Sequence, residues 1–271
     1  MKIFFLAILF VLGSCLWSFL CCQARRLHYR QTKKGKDNKK LNSRSVCLHC
    51  NYQLKWYDNI PILSWLFLCG KCRKCHKKIG IAEFLSELGL GLAFLALGTT
   101  IDCVSAGALD WAIFCVTLVL TIFLGFLAIY DGLYGELPML FLTLSIICAI
   151  IILCLKEWLI LSNSSFSLNN ILDPVASVAI LGGLYLLLYL ISKGKWVGDG
   201  DWILGTIIGL VLMSPWLALN ALFVANVSAC LVMAPSVKKT KNSKIHFGPF
   251  MVIAFVITFT FADFFYSIIG A

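Results

Sequence analysis

The sequence predicts an all-α polytopic membrane protein of about eight transmembrane helices, with a small cytosolic zinc-binding module between helices 1 and 2. Three observations carry this expectation. Apolar runs of about 18 residues or more, long enough to cross a bilayer core, recur along the chain. The chain is 60% hydrophobic and only 13% charged, with a mean hydropathy of +0.90, and helices are the elements that satisfy their own backbone hydrogen bonds in lipid. The basic residues are gathered in one loop: residues 23–83 hold 15 of the 23 Lys and Arg, opposed only by Asp37, Asp58 and Glu83.

The expected spans are 3–22, 84–101, 111–130, 139–155, 173–192, 202–214, 216–234 and 248–268. The first could be taken for a signal peptide, but its n-region has one Lys and no convincing small-x-small site follows, so it reads as a retained helix. The sixth is short and interrupted by Pro215. If the basic loop is cytoplasmic and each span crosses once, the inside segments are 23–83, 131–138, 193–201 and 235–247. They carry 21 of the 23 basic residues and leave Lys2 and Lys156 outside, as the positive-inside rule requires. The chain therefore divides into a first transmembrane helix (1–22), a basic cytosolic loop with its module (23–83) and a transmembrane domain (84–271). The net charge of +10 is first a topology signal and a match to anionic lipid heads. Nucleic acid is not expected as a partner; the lipid bilayer is. Residues 23–45 read as a linker, or an arm lying on lipid heads.

Cys47-x2-Cys50 and Cys72-x2-Cys75 are separated by 21 residues. Two such knuckles at this range point to tetrahedral zinc, because each two-residue gap lets both sulfurs face one ion. Lys71, Arg73, Lys74 and Lys77 would offset the charge of four thiolates. Redox pairs or disulfides are the alternative, disfavoured on a cytosolic face. Cys69, His49 and His76 are spare donors read as bystanders. Four thiolates leave no open position, so the metal is expected to be structural. Cysteines scattered singly in the spans (Cys103, Cys115, Cys148, Cys154, Cys230) read as small hydrophobes.

The acids of the spans are few and costly, at roughly 2.5–3.5 kcal/mol for an Asp at a helix centre. Asp131 and Asp201 both fall at cytoplasmic helix ends under the topology above. Asp201 follows the turn Trp196-Val197-Gly198-Asp199-Gly200, whose glycines allow tight turning and close approach. Two aspartates meeting across a wet cavity have the chemistry of an aspartyl protease. The plainer reading, two helix caps at the interface, is about even for Asp131 alone and weaker for the pair. Asp199 reads as a turn residue, Glu136 as a loop acid near the pair, and Asp263 as interfacial. Asp173-Pro174 reads as an N-cap with Pro at the first helical position. Asn220, Asn226 and Ser228 read as interhelical hydrogen-bond partners, and Gly182-Gly183, Gly205 and Gly209 as sites of close helix packing. Asp58 with Pro61 reads as a plain turn, and Asn163-Ser164-Ser165 is a chance-level sequon.

In order and spacing these motifs resemble the type IV prepilin peptidases, the bifunctional leader peptidase/N-methyltransferases of the GxGD aspartyl intramembrane protease family. The resemblance runs through Gly13-Ser14, the stretch Cys47 to Cys75 with Asp58, Pro61, Trp65 and Gly70, then Glu87, Asp131 with Leu137-Pro138, Gly198-Asp199-Gly200-Asp201, and Phe247-Gly248-Pro249-Phe250. The sequence departs from the family pattern at Met139, Ile203 and His246, the last standing where a Pro is usual, and at Ala82-Glu83-Phe84. The resemblance implies Asp131 and Asp201 as catalytic residues. Its substrates are prepilins or pseudopilins, cleaved at the cytoplasmic face of a prokaryotic inner membrane. It also implies N-methylation of the new N-terminus from S-adenosylmethionine, with the cysteine module as its seat. That cofactor is implied by resemblance alone, since no glycine-rich Rossmann fingerprint is present and its binding residues are unknown. Two alternatives stand beside this reading: a non-enzymatic membrane transporter or assembly factor with a structural zinc module, and a GxGD protease of the signal-peptide-peptidase type, which the cysteine module disfavours.

Overall fold

The computed structural model describes residues 2–32, 47, 49–50, 52–78, 81–163, 167–194, 197–237 and 246–268. Trp196, most of the arm expected over 23–45, the Ser residues of the sequon and much of the inside segment 235–247 lie outside them. The described residues are helical, with one isolated antiparallel bridge, Lys71 to Lys78, and no named strand. The chain divides into two compact units, Met1–Gly98 and Thr99–Ala271.

Unit 1 contains α1 (Lys2–Thr32), the cysteine module with α2 (Leu63–Phe67), and α3 (Ile81–Thr99). The first helix runs ten residues beyond the expected 3–22, so residues 23–32 are helix rather than linker. Propagation costs little once a helix is nucleated, and Gln, Ala, Arg and Leu beyond Cys22 are good helix formers. α1 and α3 lie close enough that glycine is required at the crossing. A Cβ at Gly13 would sit 2.6 Å from the Leu90 carbonyl oxygen and 3.0 Å from Gly91 Cα, both backbone atoms. Gly13-Ser14 is thus a packing notch; Ser14 Oγ donates within its own helix to the Phe10 carbonyl.

Unit 2 contains α4 (Ala108–Tyr134), α5 (Met139–Asn163), α6 (Asn169–Val178), a π-helical turn (Ala179–Gly183) and α7 (Leu184–Ser192). It continues with α8 (Asp201–Leu212), α9 (Pro215–Val237), α10 (Gly248–Thr260) and α11 (Ala262–Ile268). α8 is the axis, packed by α5, α6, the π turn, α7, α9 and α10. Leu204, Ile207, Ile208 and Val211 of α8 are buried with Leu124 and Leu127 of α4 and Met251 and Phe255 of α10. Gly182, Gly205 and Gly209 permit this, as expected: a Cβ on Gly205 or Gly209 would come 2.9 Å from the carbonyl oxygen of Leu181 or Ser177. Gly183 faces open space, so it is not a packing glycine.

α8 has twelve residues, about 18 Å of helix against a hydrocarbon core of about 30 Å. Its far end must be satisfied inside the protein, and Lys156 of α5 does this, donating from Nζ to the Val211 carbonyl at 3.0 Å. Met213, left-handed at φ 53°, closes α8, and Pro215 opens α9 at its first position, where a missing N–H costs nothing.

Among the described residues, five helical stretches are long and apolar enough to cross a membrane, with α6, the π turn and α7 counted as one, and a sixth if α10 and α11 form one span; Glu87–Thr99 and Asp201–Leu212 are shorter apolar helices at the second and sixth expected positions. Three local expectations are corrected. The span expected over 248–268 bends by 75° near Phe261, and α11 is tied to α9 by Trp216 Nε1 donating to the Phe265 carbonyl at 2.8 Å. Asp173-Pro174 does not start a helix: α6 begins at Asn169, Asp173 is exposed and Pro174 is buried inside it. Asn220 and Ser228 bond back to carbonyls of their own helix, Trp216 and Ala225; of the three polar residues only Asn226 reaches another helix, at Tyr185 Oη, 3.5 Å.

Candidate active site and metal centre

Asp131 sits on the last turn of α4 and Asp201 is the first residue of α8. Both are buried, each 6% exposed, and both belong to unit 2. Asp201 Oδ2 accepts the Gly198 N–H at 2.9 Å, and its position at a helix N-terminus favours negative charge. Asp131 Oδ2 accepts the Gly248 N–H at 2.9 Å, across 117 residues of chain. The carboxylates lie within electrostatic reach of one another, and His246 lies within reach of both.

Glycines and a proline make this convergence possible. A Cβ on Gly248 would stand 2.8 Å from Asp131 Oδ2, so the Phe247-Gly248-Pro249-Phe250 element brings bare backbone against the acid, while Pro249 sits in the first turn of α10. A Cβ on Gly200 would stand 2.8 Å from Leu137 Cβ, so the α4–α5 loop and the turn before α8 also meet through a glycine. Gly135 closes α4 in the left-handed conformation at φ +69°, its N–H donating to the Asp131 carbonyl at 2.8 Å. His246 is the residue whose position the sequence did not disclose: its Nδ1 is 3.7 Å from Asp131 Oδ1. The only trace in the sequence is its departure from the family pattern.

The other acids stand apart. Asp199 is exposed, and its charge acts on Tyr189. Glu136 is exposed and its charge acts on Tyr130; Asp263 is exposed at the start of α11. Tyr185 is buried, within electrostatic reach of Asp201.

The metal centre lies in unit 1. The sulfurs of Cys47, Cys50, Cys72 and Cys75 are all within 4.8 Å of one another. Cys47 to Cys75 and Cys50 to Cys72 are each 3.9 Å. Tetrahedral zinc–thiolate bonds of about 2.3 Å place sulfurs about 3.8 Å apart, so the donor set fits zinc. The Cys75 and Lys74 backbone N–H groups bring the Cys72 thiol down to about 6, toward the thiolate that binds metal. The Tyr52 backbone lowers Cys50, but burial and the other three thiols outweigh it and push that thiol up to about 11; a bound cation reverses such crowding. Cys69, His49 and His76 are not part of the cluster.

Two acids brace the module. Asp58 accepts the Lys55 N–H at 3.2 Å and pairs with Arg73 Nε at 2.8 Å, its carboxylate only 1% exposed. It is therefore more than the plain turn expected, and Arg73, which also lies over the Tyr57 ring at 5.0 Å, is committed to it rather than free to offset thiolate charge. Glu87 Oε2 accepts the Ile62 N–H at 2.9 Å, tying α3 to the module. Trp65 stacks on Phe84 with centroids 4.6 Å apart.

Comparison with known proteins agrees with this layout. Residues 11–101 match the model of the bacterial peptidase A24 N-terminal domain. A prepilin leader peptidase/N-methyltransferase of Vibrio cholerae is 31% identical over 230 residues, covering 80% of this chain and 81% of the relative. The protein of that name from Aeromonas hydrophila is 27% identical over 249 residues, 88% of this chain and 79% of its own length. The one from Myxococcus xanthus is 41% identical over 92 residues, 34% of this chain and 25% of its own length. No solved structure matches. With similarity to the Vibrio protein spanning both units, the chain belongs to the prepilin leader peptidase/N-methyltransferase family.

Proposed function

We propose that this chain is an intramembrane aspartic endopeptidase that removes the leader of type IV prepilins or pseudopilins at the cytoplasmic face of a prokaryotic inner membrane. The observation that carries the reading is that Asp131 and Asp201, both buried, lie within electrostatic reach of one another although 70 residues apart in sequence. Two such carboxylates cannot both ionise easily, so they share a proton. One form then takes a proton from water while the other donates one to the leaving amine. The glycines at 198 and 248 supply N–H groups that hold each carboxylate in place.

The domain reading that goes with this function keeps the expected order of a first transmembrane helix, a cytosolic cysteine module and a peptidase domain, with the first helix extended to Thr32 and α3 beginning at Ile81 rather than 84. The four cysteines hold a structural zinc ion: four thiolates close a tetrahedral shell and leave no position for water or substrate. The module's basic residues support placing it on the cytosolic side. N-methylation of the processed N-terminus from S-adenosylmethionine accompanies the family; no residue set for that cofactor is assigned, and no methyl-transfer step is derived.

The test is to co-express a prepilin with the wild type, Asp131→Asn or Asp201→Asn and read the pilin N-terminus by mass spectrometry. Each variant is expected to leave the leader attached. Full processing by either one removes the aspartyl mechanism and favours a transporter or assembly factor. The same spectra report methylation in the wild type.

A further inference from the structure

We infer that His246 is a positioning residue of the acid pair: its imidazolium holds Asp131 as the ionised carboxylate, which leaves the shared proton on Asp201. This rests on the reading of the two aspartates as catalytic and assigns their separate roles.

The arrangement around the pair is asymmetric. Asp131 Oδ2 accepts the Gly248 N–H and Oδ1 faces His246 Nδ1 at 3.7 Å. Asp201 Oδ2 accepts the Gly198 N–H, and His246 acts on it from beyond ion-pair distance. Asp131 faces the imidazole from α4 and Asp201 from α8. The helix ends act against this assignment, the α8 N-terminus favouring charge on Asp201 and the α4 C-terminus opposing it on Asp131, so the cation at 3.7 Å from Asp131 has to outweigh them. The ring lies against Gly135, where a Cβ would fall 2.7 Å from His246 Cε1. The imidazole side chain is 41% exposed. A cation beside one member of a coupled acid pair favours the charged form of that member.

The step is then defined. The Asp131 carboxylate takes a proton from water as the water oxygen bonds to the scissile carbonyl carbon. Asp201 gives its proton to the amide nitrogen as the carbon–nitrogen bond breaks. Transfer of one proton from Asp131 to Asp201 restores the starting state, and the net reaction adds one water to one peptide bond. His246 changes no bond; it sets which carboxylate starts as base.

The test uses the full-length chain, reconstituted with a prepilin that carries its leader, and compares His246→Gln with His246→Lys. Gln removes the charge and Lys restores one. His246→Gln is expected to lower kcat roughly tenfold with KM changed less than about twofold. The acid limb of its activity–pH profile moves to higher pH, because a carboxylate without its cation protonates more readily as pH falls. His246→Lys is expected to recover most of the lost kcat and to return the limb toward wild type. If Gln leaves kcat and the limb unchanged, or Lys does no better than Gln, the inference is overturned. Asp131→Asn and Asp201→Asn are assayed beside them. Processing by either Asn variant sinks the catalytic pair and this inference together; two dead Asn variants with a wild-type-like Gln variant sink only the role of His246.

Discussion

Between Cys47 and Lys78, Cys72 is the one apolar side chain buried among the described residues. In unit 2, α8 alone buries eight of its twelve residues. The module is held by four sulfurs, the Asp58–Arg73 pair and a few turns, whereas the acid centre is held by helices whose glycines let backbones touch. A segment this short cannot bury enough apolar surface to offset its chain entropy. The two units should therefore fail separately: the first to loss of metal, the second to added side-chain volume.

The largest expected effect is metal removal. Structural zinc contributes of order 10 kcal/mol to small domains that fold around it. Chelation, or Cys72→Ser, should open the segment between Cys47 and Lys78 to protease while the α4–α10 helices stay resistant. Limited proteolysis with mass mapping checks this. A module equally resistant with and without metal would mean that the thiols are incidental to its fold.

The counterpart in unit 2 is a glycine pair. Gly209→Val places a side chain where even a Cβ would be 2.9 Å from the Ser177 carbonyl oxygen and Val178 Cα, atoms of backbone that cannot swing aside. A loss of about 1–3 kcal/mol is expected, read as a lower melting midpoint in detergent. Gly183→Ala meets nothing within 4 Å and should be neutral or slightly stabilising, since Ala is the better helix former. Equal effects at the two positions would refute the packing argument.

Much of this contrast was legible in the sequence because it is local. The Cys-x-x-Cys spacing fixes which thiols share a knuckle, and hydropathy marks the apolar helices. The glycines at 182, 205 and 209 announced close packing before any partner was known. What stayed hidden depends on partners far along the chain. Nothing near His246 announces that it meets Asp131, and nothing near Gly248 says that its N–H is needed 117 residues upstream. The break at Phe261 is accompanied by Trp216 on another helix. Asp173-Pro174 misled because a capping dipeptide is a local preference, and here α6 begins earlier with the proline inside it.

The smallest expected effect lies where α3 meets the module. Ile62 has φ 64° and ψ −55°, and the Leu63 N–H donates to the Pro61 carbonyl at 2.6 Å. That is a γ-turn in its rare left-handed form, strained for a β-branched residue. The Glu87 carboxylate accepts the Ile62 N–H and so helps hold the turn against that strain. Glu87→Ala should destabilise the metal-loaded module by about 1 kcal/mol, the usual worth of one such bond, and raise its proteolysis rate about fivefold without releasing metal. Ile62→Gly adopts the left-handed conformation freely, so in the Glu87→Ala background it should recover part of the loss. If the double variant is no better than Glu87→Ala alone, strain at Ile62 is not what Glu87 opposes, and its role reduces to an ordinary hydrogen bond between α3 and the module.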